Sequence, residues 1–133
     1  MSRNRFVERR GRGASGATTR AIIVVDDDED ISAALKDILE EEGYPVEVAG
    51  NGIEAMALVK RLPCPPCLVI LDLSMPWMGG KAVYAALQAD PALADIPVVV
   101  STSNPSGAPS GVVVMKKPVD LAVLLATVRE NCA

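Results

Sequence analysis

The stretch Leu68-Val69-Ile70-Leu71-Asp72-Leu73-Ser74-Met75-Pro76 sets an unbroken aliphatic run directly against an acid and a turn that carries a proline. Four apolar residues without alternation suit a strand covered on both faces, and Asp72 marks where that strand stops. Upstream, Ala21-Ile22-Ile23-Val24-Val25 has the same character and also runs into acid, Asp26-Asp27-Asp28-Glu29-Asp30. Residues 45–49 read as another short strand, Pro97-Val98-Val99-Val100 as a fourth and Val112-Val113-Val114-Met115 as a fifth.

Helical spacing fills the gaps between these runs. Ile31, Ala34, Leu35, Ile38 and Leu39 fall on one stripe, with Gly43 as a stop signal. Ile53, Met56, Ala57 and Val59 suggest a second helix after Asn51-Gly52, ending near Pro63, and residues 81–88 a third. Asp120 is placed to cap a last helix whose buried stripe is Leu121, Leu124, Leu125 and Val128. Strands alternating with helices imply right-handed β-α-β units in a parallel sheet. The fold class is α/β, and five strands fit the flavodoxin-like, doubly wound order 2-1-3-4-5, whose sites lie at the carboxyl ends of the central strands.

One crossover breaks the pattern. Thr102-Ser-Asn-Pro-Ser-Gly-Ala-Pro-Ser-Gly111 has two prolines and almost no apolar content. Ten residues span up to about 33 Å when extended, enough to return along a strand without covering the sheet face. The helix between strands 4 and 5 is therefore expected to be missing or reduced to a turn. The valines of those two strands would then leave a bare face suited to a partner or a homodimer.

The 133 residues hold room for one domain. Residues 1–20 carry six arginines against one glutamate, and the remainder seven basic against sixteen acidic residues. The division follows: residues 1–20 as a disordered basic tail, 21–133 as the folded domain. No apolar run reaches the ~18 residues of a membrane helix, and the basic start lacks the apolar core of a secretory signal. A cytoplasmic protein is expected.

The cysteines add little. Cys64-Pro-Pro-Cys67 stands before a strand rather than opening a helix, and Cys132 sits at the far end of the chain. With no histidine present, three thiols make a poor zinc site. The Cys64/Cys67 pair is read as a loop rather than a redox centre.

Chemistry gathers at the strand ends. Asp26 and Asp27 end the first strand, Asp72 the third and Thr102 the fourth, while Lys116-Lys117-Pro118 follows the fifth. Clustered carboxylates repel unless a cation intervenes, and an oxygen-only donor set favours a hard ion such as Mg²⁺. A carboxylate can act as the nucleophile that forms an aspartyl-phosphate. Phosphoryl transfer needs mainly positioning and charge neutralisation. Asp28, Glu29 and Asp30 read as a helix start favoured by the N-terminal dipole, and Lys116 as a solvent-facing lysine.

Val24-Val-Asp-Asp-Asp-Glu-Asp30, Leu68-Val-Ile-Leu-Asp-Leu-Ser-Met-Pro76 and Lys117-Pro118 resemble the three signature blocks of response-regulator receiver domains of two-component signalling, the chemotaxis-regulator type included. The likeness runs over residues 21–131. It implies that Asp72 is the phosphoacceptor and that Asp26, Asp27 and Asp72 hold Mg²⁺ with the Ser74 backbone carbonyl, Asp27 being the preferred direct ligand. It further implies that Lys117, beside a proline that in this family often follows a cis peptide, contacts the phosphoryl group. Thr102, five residues after Pro97, would be the switch hydroxyl, with Ser101 in its place if the register slips by one. The donor would be a histidine kinase or phosphotransfer protein and the output a downstream protein target. The chain would be a phosphoacceptor switch with at most slow self-dephosphorylation, not a metabolic enzyme.

Departures from the family concern output. The fourth-helix face is eroded, Val114 stands where the family often has Tyr or Phe, and Gly79 stands where an acid is frequent. Trp77 is an exposed-looking aromatic beside the site. No DNA-binding domain is expected within these residues, and the chain reads either as a stand-alone receiver or as a piece of a longer regulator or hybrid kinase. The alternative reading is a non-phosphorylated pseudo-receiver that works as a protein-interaction module.

Overall fold

A computed structural model describes residues 20–75 and 77–132. The assignment of residues 1–19 to a basic tail lies outside them. Five strands, β1 (Ile22–Val25), β2 (Val46–Ala49), β3 (Leu68–Asp72), β4 (Val98–Thr102) and β5 (Val113–Lys116), form one parallel sheet in the order β2-β1-β3-β4-β5. The register sets Val24 beside Ile70, Leu71 beside Val100 and Asp72 beside Ser101. β4 runs two residues further than its apolar run suggested, because Ser101 and Thr102 still pair with β5 through Met115 and Lys116.

Alternation along the strands divides the core in two. Ile22, Val24, Leu68, Ile70, Val99 and Met115 face α1 (Glu29–Glu41) and α4 (Leu121–Cys132), meeting Leu35, Leu39, Leu124 and Val128. Ile23, Val25, Val69 and Leu71 face α2 (Gly52–Arg61) and α3 (Gly80–Ala89), meeting Ala55, Leu58, Val59, Val83 and Leu87. Both faces of the central strands are covered, which is why their sequences are aliphatic without alternation.

Short polar side chains start three of the helices. Asp28 accepts from the N–H groups of Asp30 and Ile31, Asn51 from Glu54, and Asp120 from Ala122 and Val123. Glu54 also accepts from the Gly50 N–H at 2.9 Å, which ties the turn before α2 to the helix's first turn. Gly43, at φ +96°, ends the run that α1 began.

Between β4 and β5 the chain makes a single 3-10 turn, Pro105–Gly107. The bare face this was expected to leave is narrower than the valine count implied. On that face Val100 is buried and Val98 and Val114 are half-buried, while the exposed Val113 lies on the opposite face, in line with Val99 and Met115.

Cys64 and Cys67 lie in a loop before β3 and are not bonded to each other, but Cys67 has a distant partner. Cys64 is free, whereas Cys67 is bonded to Cys132, 65 residues away. By chain-entropy arguments, closing a loop of that length stabilises the fold by about 4 kcal/mol. Arg20, grouped with the tail on charge, donates to the Pro65 and Pro66 carbonyls from the first described position.

Candidate functional site

Three strand ends and the turn after β5 converge at the carboxyl edge of the sheet. Asp26 follows β1 and is 5% exposed, and Asp72 closes β3 at 6% exposed. Asp27 is exposed beside them. Oxygen atoms of Asp26, Asp27 and Asp72 lie within 4.8 Å of one another. The Lys117 ammonium enters from the turn after β5, 3.2 Å from Asp26 Oδ2 and 3.3 Å from Asp72 Oδ1. The Lys117–Pro118 peptide is cis, and the Lys117 N–H donates to the Thr102 carbonyl at 2.9 Å.

Burial pushes the Asp72 carboxyl above the ordinary range, and the charge of Asp26 adds to this. The Lys117 ammonium and the Ser74 N–H oppose the rise only in part. Burial pulls Lys117 down, but Asp26 and Asp72 outweigh it and hold its ammonium above the usual lysine value.

The donor set fits a hard divalent cation. Three carboxylates face one ammonium, so two negative charges remain in a small space, and only oxygen is offered. Asp26 is already engaged by Lys117 and by the Asp28 N–H at 2.9 Å. Asp27 is the less committed carboxylate. Ser74 donates its N–H to Asp72 Oδ1 at 3.4 Å, which bends the chain after β3 back over the acid.

A cleft of ≈ 420 Å³ opens beside this cluster, lined by Ser74, Gly79, Lys81, Thr102 and Asn104 among others. Thr102, and not Ser101, borders it. Thr102 Oγ1 accepts from the Asn104 N–H at 3.0 Å, which leaves its own proton free to donate. Lys116 is exposed, as its solvent-facing reading implied. Trp77 is 82% exposed, with φ +60°.

Sequence reasoning missed two groups. Lys81 and Asn104 reach the cleft, yet a lysine in a helix's first turn and an asparagine in a Pro/Ser/Gly loop give no distinguishing signal. Two close approaches were equally silent. A Cβ at Gly80 would meet the Asp72 carbonyl oxygen, and one at Gly52 the Met78 carbonyl oxygen. α3 therefore starts against the backbone of the acid itself, and α2 against Met78 in the loop that leads into α3.

Comparison with known proteins agrees with this geometry. The response regulator receiver domain matches residues 22–129. The chain is 37% identical to the DNA-binding dual master transcriptional regulator RpaA of Synechocystis over 81% of its own length and 47% of that protein. It is 33% identical to protein Rrf1 of Nitratidesulfovibrio vulgaris, covering 80% of this chain and 78% of Rrf1. The chain thus spans about half the length of RpaA. Among solved structures, the receiver domain of a signal transduction histidine kinase from Syntrophus aciditrophicus is similar at 33% identity and TM-score 0.76, covering 85% of this chain and 89% of that one. A response regulator receiver protein from Pseudomonas putida is similar at 27% identity and TM-score 0.77, covering 86% and 98%. The sheet order, the acids at its carboxyl edge and the family match over nearly all the described residues agree: the chain belongs to the response-regulator receiver domains.

Proposed function

We propose that Asp72 accepts a phosphoryl group from a phosphohistidine carried by a histidine kinase or phosphotransfer protein. An Asp72 carboxylate oxygen attacks phosphorus, the N–P bond breaks, and the imidazole leaves with the electron pair. The observation that carries this reading is the position of Asp72, buried at the sheet's switch point with Asp26, Asp27 and Lys117 around it. Asp26, Asp27, Asp72 and the Ser74 carbonyl would hold Mg²⁺, which when bound neutralises charge on the phosphoryl oxygens. Lys117 supplies a second positive charge, 3.3 Å from Asp72 Oδ1. Thr102 offers a hydroxyl proton to a phosphoryl oxygen, and its bond from Asn104 sets the direction of that proton. The reaction is that of a switch, with at most slow hydrolysis of its own aspartyl-phosphate, in the cytoplasm.

The output runs through protein contacts with a downstream target. A homodimer through the β4–β5 face is included, since no α-helix between β4 and β5 covers the face that Val98, Val100 and Val114 share. A sedimentation measurement that finds only monomer at high concentration overturns the dimer. One observation favours a second reading, a pseudo-receiver that docks without phosphorylation: the β4–β5 crossover is a single 3-10 turn. Incubation with acetyl phosphate and Mg²⁺, followed by intact-mass measurement, separates the two. The phosphoryl reading expects a gain of one phosphoryl group, lost in Asp72→Asn. No gain on the unaltered chain favours the docking module.

A further inference from the structure

Cys67 and Cys132 join the start of the central strand to the last turn of the last helix. The ring they close contains Asp72, Thr102 and Lys117, whereas Asp26 and Asp27 lie outside it. One covalent bond therefore ties together the chain segments that carry three of the site's groups.

Both oxidation states of this pair have a place in the fold. Leu124, Val128 and Cys132 recur every four residues, so Cys132 continues the buried stripe of α4 and packs against the core through helix position as well as through the bond. Cys67 Sγ lies 3.6 Å from both the Arg20 and the Ala21 carbonyl oxygens. A disulfide sulfur has no proton to give them, but a thiol does. The acceptors for reduced Cys67 are thus already present, and Arg20 is anchored there through its side-chain bonds to Pro65 and Pro66. The two sulfurs also differ in access: Cys67 is 3% exposed and Cys132 is half-buried.

We propose that Cys67–Cys132 is a reversible redox latch on α4. A dithiol reductant attacks at Cys132 Sγ, the accessible sulfur. The S–S bond breaks, and Cys67 leaves as a thiolate and takes up a proton. The reductant's second thiolate then attacks its own sulfur in the mixed disulfide, and Cys132 leaves as a thiolate and is protonated. The protein gains two hydrogens and two electrons, and the reductant becomes a disulfide. Permanent disulfides are rare in a reducing cytoplasm, where those that occur are mostly transient or redox-sensing. The latch rests on the cytoplasmic reading above and needs no phosphoryl chemistry.

The test equilibrates the full chain in mixtures of oxidised and reduced dithiothreitol from oxidising to reducing, then alkylates it and maps the labelled peptides. The expected result is label on Cys64 alone at the oxidising end and on all three cysteines at the reducing end, with the same midpoint approached from either side. On reduction the Tm should fall by roughly 15–20 °C, from the lost loop constraint, and amide exchange should quicken in residues 121–132. Cys64→Ala should keep the transition, and Cys132→Ser should show neither the transition nor a redox-dependent Tm. The latch is overturned if Cys64 is found in the bond, if all three cysteines label without reductant, or if the bond survives the most reducing couple. The acetyl phosphate experiment reads the phosphoryl assignment separately, so either can fail alone.

Discussion

Lys117 Nζ stands 3.3 Å from Asp72 Oδ1, held there by a backbone N–H bonded to the Thr102 carbonyl. The ammonium also reaches Asp26, so one cation serves two nearly buried acids. Lys117→Ala removes that charge from both. Urea unfolding without added metal should show a loss of roughly 2 kcal/mol, the scale for stranding buried charge. An unchanged midpoint would mean that the acids are adequately solvated without it.

Asp72→Asn should act in the opposite direction. The folded carboxyl titrates above its unfolded value, 3.8. Its contribution to stability is therefore present below the unfolded pKa and lost as pH rises through the folded one. In metal-free protein at neutral pH, the uncharged asparagine should be more stable by on the order of 1 kcal/mol. That advantage should vanish in acid, where Asp72 is neutral in both states. Denaturation of the two proteins across pH checks the sign.

Mg²⁺ should raise the Tm of the unaltered chain, by binding the folded state alone. Trp77 is the sole tryptophan and belongs to the loop that follows Ser74, so its fluorescence should report the same titration. Asp27→Asn should weaken the ion's affinity by tenfold or more, given that even outer partners of metal ligands cost about 10–100-fold. Equal affinities in both proteins would remove Asp27 from the donor set.

Gly80→Ala probes the contact between α3 and the end of β3. The new Cβ would meet the Asp72 carbonyl oxygen and stand 2.7 Å from Leu73 Cα, both backbone atoms with little room to yield. A loss of about 1–3 kcal/mol is expected, with weaker Mg²⁺ binding as Asp72 shifts. Retained affinity with reduced stability would show that the acid is held independently of the helix start.

Much of this was written in local pattern. Ile22 to Val25 and Leu68 to Leu71 are aliphatic without alternation because α1 and α4 cover one face and α2 and α3 the other. The polar, proline-containing crossover after Thr102 predicted the lost helix, since such residues cannot pack on a sheet. Asp26, Asp27, Asp72 and Lys117 were legible because each lies at or within two residues of a strand's carboxyl end, and parallel strands bring those ends together. The Cys67–Cys132 bond was not legible: partners 65 residues apart meet only once α4 has docked, and no local spacing encodes that. Nor did the run of valines reveal that Val99 and Val100 would be buried while Val113 stayed exposed. That difference comes from the position of β5 at the sheet's edge.

The same position carries a hazard and its remedy. An outermost strand offers an unpaired row of backbone groups to any other extended chain, and such rows seed aggregation. β5 is four residues long and ends on exposed Lys116, while β2, at the other edge, is equally short and exposes Glu47. A charged side chain on so short a template makes edge-to-edge strand addition unfavourable. The sheet can thus leave apolar surface available on β5 without inviting its own polymerisation.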